Sequence, residues 1–257
     1  MKKRTMLWAA AVILAPATAV AQGGLPTCNP TVPGITAGSP FVWAFINNVC
    51  TDFSSYIVAT TPGKIWTLDT PLLDFGGGTL KLHAVFNADP FISFGATTTN
   101  LSGTNTYAFL YGTPVVPGLY TNASSTGGVS VTDGLRGNTT VATSGVYPTY
   151  ISAYGTVGST PTNLGVDLGT APCTASGTPL AVTTVCNQGT LTNSFAPTFY
   201  DNLEALLTYT QNDDASVASW SGAVTLTTSV TPEPATFALF GTGLLVVGGF
   251  AVRRRKS

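Results

Sequence analysis

The chain has 257 residues, a formal net charge of −1 and only 8% charged side chains, against 28 glycines and 17 prolines. The near balance hides a segregation: Lys2, Lys3, Arg4 and the last four bases sit at the two ends, while residues 22–234 hold Lys64, Lys81 and Arg136 against all 11 acids, a net of −8. So acidic a body excludes nucleic acid as a partner, because that binding needs clustered Lys and Arg, and so much Gly, Pro, Ser and Thr excludes a helix-rich enzyme domain.

Residues 1–21 read as a secretory signal peptide. A basic start is followed by an apolar run from Met6 to Ala15 and by the small-x-small pattern Ala19-Val20-Ala21, the three parts that the secretion machinery and signal peptidase recognise. The run is too short, and too soon followed by Pro16, to be a permanent span. The mature chain is expected to begin at Gln22. Export makes the four cysteines, Cys28, Cys50, Cys173 and Cys186, disulfide candidates. Three pairings are possible. The local ones, Cys28–Cys50 and Cys173–Cys186, are favoured because each closes a modest loop, worth roughly 3 kcal/mol. The competing zinc site lacks both a CxxC pair and a nearby histidine.

Residues 22–230 read as one extracytoplasmic domain. FVWAFINNVCTDFSSYIV (41–58) fits a strand pair or a short helix equally well. KIWTL (64–68) is a short strand. TLKLHAVF (79–86) alternates, with Leu80, Leu82, Ala84 and Phe86 on one face and Lys81, His83 and Val85 on the other. Asn87-Ala88-Asp89-Pro90 is turn chemistry. Two strands follow, joined at Ser102-Gly103, and then GVSVTDG, TYISAYGTV, NLGVDLG and GAVTLTTSV. TFYDNLEALLTYTQ (198–211) has a helical moment around Leu203–Leu207, but its setting favours a strand. Short strands punctuated by Gly, Pro and Asn predict an all-β fold, an antiparallel β-sandwich of jelly-roll type.

No constellation of catalytic residues emerges. His83 is the only histidine; with no G-x-S-x-G sequence it lacks the partners of a hydrolytic triad and reads as structural. Asp213 and Asp214 are adjacent, so on a strand they would point to opposite faces, wrong for paired carboxylates; a solvated turn is expected. Asp133-Gly134 and Gly137-Asn138 offer oxygen-rich turns, without the spacing of a calcium loop. The sequons at Asn100, Asn122 and Asn138 are expected by chance in a chain this rich in Ser and Thr. Aromatic side chains have two uses here, as core or as platforms for sugar rings. The expectation is a non-enzymatic body with no cofactor and no metal.

The last 27 residues are the most informative. Thr231 and Glu233 each precede a proline and are held extended. Ala235–Val252 carries no charge, and as a helix would span about 27 Å, close to the hydrocarbon core of a bilayer. Arg253, Arg254, Arg255 and Lys256 follow at once and belong in the cytoplasm by the positive-inside rule. Residues 231–257 are therefore expected to place a single transmembrane helix (235–252) in the inner membrane, with a basic tail (253–257) inside and the body outside, in the periplasm.

Pro232-Glu233-Pro234, the apolar stretch and the terminal basic block together resemble the PEP-CTERM sorting signal. The body is similar to one class of proteins bearing that signal, through Asp89–Gly95, the strand end Thr97–Gly103, Tyr107-Ala108-Phe109 with Pro114, and Thr132-Asp133-Gly134. The resemblance implies a Gram-negative exported protein with an all-β extracellular body. It also implies recognition and cleavage by an exosortase at or near Pro232-Glu233-Pro234. The product is then released or attached at the cell surface, where exopolysaccharide is a partner. It implies no activity for the body. The competing expectation is a membrane-anchored periplasmic carbohydrate-binding protein.

Overall fold

The computed structural model describes residues 38–47, 49–135, 137–177 and 182–228. Over these the chain is nearly all strand. In order the strands are β1 (Phe41–Ile46), β2 (Val49–Asp52), β3 (Ile57–Thr61), β4 (Ile65–Asp69), β5 (Leu73–Asp74), β6 (Gly78–Asn87), β7 (Phe91–Asn100), β8 (Asn105–Thr132), β9 (Asn138–Ala142), β10 (Ile151–Val157), β11 (Thr160–Asn163), β12 (Cys173–Ser176), β13 (Thr183–Gln211) and β14 (Ser216–Thr227). The 41–58 segment resolves as a strand pair followed by a short 3-10 turn at Ser54–Tyr56 and the start of β3.

Two long strands organise the fold. β8 and β13 pair antiparallel over almost their whole length, from Asn105↔Gln211 to Thr132↔Thr183. The first half of β8 has β1 on its other side, from Phe41↔Gly112 to Ile46↔Tyr107. The second half has β14 there, from Thr227↔Asn122 to Val217↔Thr132. The ribbon thus runs through two sheets. Register shifts fall between Ser194 and Thr198 and between Tyr200 and Asn202, alongside Pro114, Pro117 and Pro197. Proline cannot donate to the ladder, so a bulged bend is where it is tolerated.

Sheet I has the order β2-β1-β8-β13-β10-β11, with β9 joining the end of β13 and β12 joining β9. Sheet II has the order β3-β4-β6-β7-β14-β8-β13, with β5 beside β6. The turn at Leu101–Thr104 is not a hairpin: it carries the chain from β7 in sheet II to β8 in sheet I, and the two strands do not pair.

The sheets face each other across one core. From sheet I come Val42, Ala44, Tyr107, Phe109, Tyr111, Leu203, Leu207 and Tyr209; from sheet II come Leu80, Leu82, Phe86, Ile92, Phe94, Trp220 and Val224, all buried. Phe94 stacks on Tyr111 at 5.0 Å between centroids, and Tyr209 meets Trp220 at 5.4 Å. One polar group is satisfied across the gap, where Thr98 Oγ1 lies 2.9 Å from Tyr209 Oη and donates to Gln211 Oε1 at 2.7 Å, while Tyr107 Oη and Trp220 Nε1 are buried without a hydrogen-bond partner among the described residues. Glycines let large side chains in. A Cβ on Gly222 would stand 2.6 Å from Phe94, and one on Gly127 2.4 Å from Ile151. Cys173 on β12 and Cys186 on β13 are disulfide-bonded, with Cα atoms 5.9 Å apart. Because β12 belongs to sheet I through β9 and Cys186 sits in the sheet II half of β13, this bond ties the two sheets together.

Two expectations need correction. NLGVDLG forms no strand: β11 ends at Asn163 and only Leu168 bridges Ile151, because Gly165 and Gly169 take positive φ of 69° and 78° and break the extended run. The strand expected after Ser102-Gly103 (105–116) and the GVSVTDG strand (128–134) are not separate: the first and the 128–132 part of the second belong to the single β8, which ends at Thr132.

Candidate functional site

The outer face of sheet II is an open trough of about 670 Å³. Cross-strand register builds its floor. His83, Gly95, Ser221, Gly128 and Asn187 stand in one row across β6, β7, β14, β8 and β13. One flanking row runs Lys81, Thr97, Ser219, Ser130 and Val185; the other runs Val85, Ser93, Ala223 and Thr126. Alternation explains this composition: the inward residues of the same strands are the large core ones, and the outward residues of β7, β14 and β8 in these rows are Ser, Thr, Gly and Ala. The His83 ring lies flat over Gly95, where a Cβ would come within 2.0 Å of it. Hydroxyls are partly used among themselves, Thr97 Oγ1 to Ser219 Oγ at 2.9 Å for one.

This geometry bears on the candidate chemistry. His83 is exposed on β6, and its cross-strand neighbour Asp69 instead pairs with Lys81 Nζ at 3.4 Å. That ion pair is solvent-facing, a class worth about 0–1 kcal/mol. Among the described residues Trp43 and Trp220 are buried, and Trp66 is partly buried against the core. Among the described residues the exposed aromatic rings are Tyr56 and Phe199, neither of which lines the trough. What the trough presents is a shallow, largely apolar floor of glycine backbone with the hydroxyls of Thr126, Ser130, Ser219 and Ser221, the Asn187 amide and one imidazole.

The two adjacent aspartates lie elsewhere. They turn the chain from β13 into β14, and Asp213 takes φ 74°, a backbone state that Asp tolerates better than most residues. Asp213 is buried rather than solvated. Its Oδ2 accepts from Gly134 N at 3.2 Å and Thr139 Oγ1 at 3.1 Å, and its Oδ1 accepts from Asp214 N at 2.8 Å. Asp214 Oδ1 accepts from Gly103 N at 2.9 Å. The turn is thus a clasp joining three loops at one end of the sandwich, beside a polar cleft of about 210 Å³. Asp133, next to it, buries both carboxylate oxygens without a hydrogen-bond partner. The described residues hold no cluster of three or more His, Cys, Asp or Glu placed for a metal.

The tyrosines between the sheets are held neutral. Desolvation by burial pushes Tyr107 and Tyr150 up to about 12, and drives Tyr111 and Tyr209 well above the usual phenol range.

Ala19, Ala21, Cys28, Pro232, Glu233, Pro234, Arg253, Arg254, Arg255 and Lys256 lie outside the described residues, as does the 235–252 stretch. Among the described residues no helix is long and apolar enough to cross a membrane. The trough escaped sequence reading because it exists only through register. Its one local signal is the run of small outward residues at Gly128, Ser130, Ser219 and Ser221.

Residues 230–256 match the family profile of the PEP-CTERM protein-sorting motif. The chain carries the PEP-CTERM motif. That motif implies an exported protein, sorted at a membrane and processed by an exosortase. A comparison with curated proteins gives no match. Solved structures that overlap this chain at low identity include the following two. TmCBM61 in complex with β-1,4-galactotriose has 8% identity and a TM-score of 0.26 over 65% of this chain and 90% of that one. The enzymatically active domain of bacteriophage CBA120 tailspike protein 4 has 10% identity and a TM-score of 0.23, over 77% of this chain and 22% of that one.

Proposed function

We propose that this is an exported, surface-sorted, non-enzymatic β-sandwich, processed at Pro232-Glu233-Pro234 by an exosortase. Its role is structural or adhesive, in the envelope or the exopolysaccharide matrix. The match of residues 230–256 to the sorting motif carries the reading. Its pieces have separate physical jobs. The paired prolines keep the scissile region extended, and the apolar stretch and basic block hold it at the periplasmic face of the inner membrane. The body supports the non-enzymatic part, since its lone histidine faces solvent with the neighbouring carboxylate committed to Lys81.

The test is to express the protein with a tag on the body, in hosts with and without the exosortase, and to measure the C-terminal mass and the fraction that holds it. Cleavage near Pro232–Pro234 is expected only with the enzyme; an intact Ser257 in both hosts would overturn the proposal and leave a plain anchor.

A second reading, a carbohydrate-binding body, is favoured by one observation: the hydroxyl-lined trough on sheet II. Without an aromatic platform it would hold sugars by hydrogen bonds alone. Glycan-array binding that is lost in Ser221→Val would support it, and an array without signal would remove it.

A further inference from the structure

The outer face of sheet I is buried although, among the described residues, no strand is stacked on it. Phe41, Trp43, Leu110 and Leu206 form a second hydrophobic cluster there, each no more than 2% exposed. Register confirms the face: Trp43 is opposite Leu110 and Leu110 opposite Leu206, while Val42 and Phe109 point the other way into the main core. Among the described residues the partly buried hydrophobic side chains packed against this cluster are Tyr147 and Tyr154. In the adjacent row Glu204 is fully buried, with Thr156 Oγ1 donating to it at 3.4 Å.

The edge of the same face supplies the clue to what covers it. Cys50 stands opposite Phe45, so its sulfur shares the face with Phe41 and Trp43. Cys50 is disulfide-bonded, and Cys173 and Cys186 are bonded to each other. The sequence has one other cysteine, Cys28. Tyr147 and Glu204 likewise have partners beyond those named above. We propose that residues 22–40 lie across the outer face of sheet I as a strap, pinned by a Cys28–Cys50 disulfide and seated on Phe41, Trp43, Leu110 and Leu206.

Composition and reach fit this occupant. Residues 22–40 carry no charge and offer Leu25, Val32 and Ile35 to an apolar face. Pro26, Pro30 and Pro33 lack donors, which suits a segment lying across a sheet and not one extending its edge. Thirteen residues separate Cys28 from Phe41, an extended reach of about 43 Å. Crossing from β1 to β13 takes two strand spacings, about 10 Å, so the segment can pass over the cluster and return to Cys50. The other end of the chain leaves from Thr227, beside Asn122 in sheet II.

The test is hydroxyl-radical footprinting of the full exported chain, read at Trp43 with Trp220 as the core reference, together with a non-reducing peptide map. The map should recover Cys28 linked to Cys50. Deleting residues 22–37 together with Cys50→Ser should raise Trp43 oxidation at least tenfold and leave Trp220 unchanged, whereas deleting residues 229–257 should leave both unchanged. An unaltered Trp43 in the first variant, or an exposed Trp43 in the second, overturns the strap. Should the first variant expose Trp220 as well, a photo-crosslinking residue at Val32 in the otherwise intact chain decides. Adducts on peptides carrying Trp43, Leu110 or Leu206 support the proposal; adducts elsewhere, or none, refute it.

Discussion

The disulfide between Cys173 and Cys186 should be a strongly stabilising covalent feature of the described fold. The paired residues are 13 apart, and a loop of that size loses enough unfolded-state entropy on closure to stabilise the native state by about 3 kcal/mol. The double variant Cys173→Ala/Cys186→Ala removes the bond without leaving a free thiol and without touching the bond at Cys50, which a reductant would also break. Alanine is the better choice than serine because Cys173 is fully buried, so a hydroxyl there would add its own desolvation cost. Losing the buried sulfur adds less than about 1 kcal/mol. Urea unfolding followed by tryptophan fluorescence should therefore give a stability lower by about 3–4 kcal/mol. For a domain of this size that corresponds to a melting temperature lower by roughly 6–16 °C. A loss under about 1 kcal/mol would refute the argument that this bond ties the two sheets.

Other consequences can be measured on the same protein. Tyr107, Tyr111, Tyr150 and Tyr209 are all raised by burial. Their stabilising effect is complete below the unfolded phenol value near 10; for Tyr107 and Tyr150 it is lost as pH climbs through about 12, and for Tyr111 and Tyr209 only at still higher pH. Alkaline titration should show the absorbance of these phenolates appearing together with loss of the near-ultraviolet dichroism, and phenolate formation in a still-folded protein would contradict this. Gly222→Ala drives a Cβ to 2.6 Å from the buried Phe94 ring and should cost about 1–3 kcal/mol. Gly95→Ala meets only the exposed His83 ring, which can swing away, and should stay within about 0.5 kcal/mol; equal losses would show that the sheets are not packed as described. Asp133→Asn removes a buried carboxylate with no hydrogen-bond partner and should raise stability by about 1–3 kcal/mol. A fall in its denaturation midpoint would mean the charge is compensated.

Much of the fold was legible wherever a pattern is local. The alternation at 79–86 places Leu80, Leu82, Ala84 and Phe86 inside and Lys81, His83 and Val85 outside. Reading 198–211 as strand against its helical moment succeeded because β8 and β10 flank it with ladders on both sides, a tertiary effect stronger than propensity. What failed was long-range. Nothing local says that residues 105 to 132 are one strand shared by two sheets, since the bend is made by pairing with β13 at a distance of many residues. The burial of Asp213 was equally hidden, because its hydrogen-bond donors come from Gly134 and Thr139. The sorting tail was the opposite case: its information is linear, so the match at 230–256 repeats what composition and order already carried.

The position of β14 sets how this body responds to a pull. β14 is hydrogen-bonded to β7 on one side and β8 on the other, both antiparallel. It is also the last strand before the sorting motif, which begins three residues beyond Thr227. Ladder bonds lie perpendicular to the strands, so tension along β14 loads both ladders in shear, all bonds at once, where a terminal strand on a sheet edge would peel one bond at a time. A chain held by its C-terminus at a surface would thus transmit drag into the middle of sheet II, and on through the β8–β13 ribbon into sheet I. The fold places a strand clamped on both sides at the end next to the sorting motif.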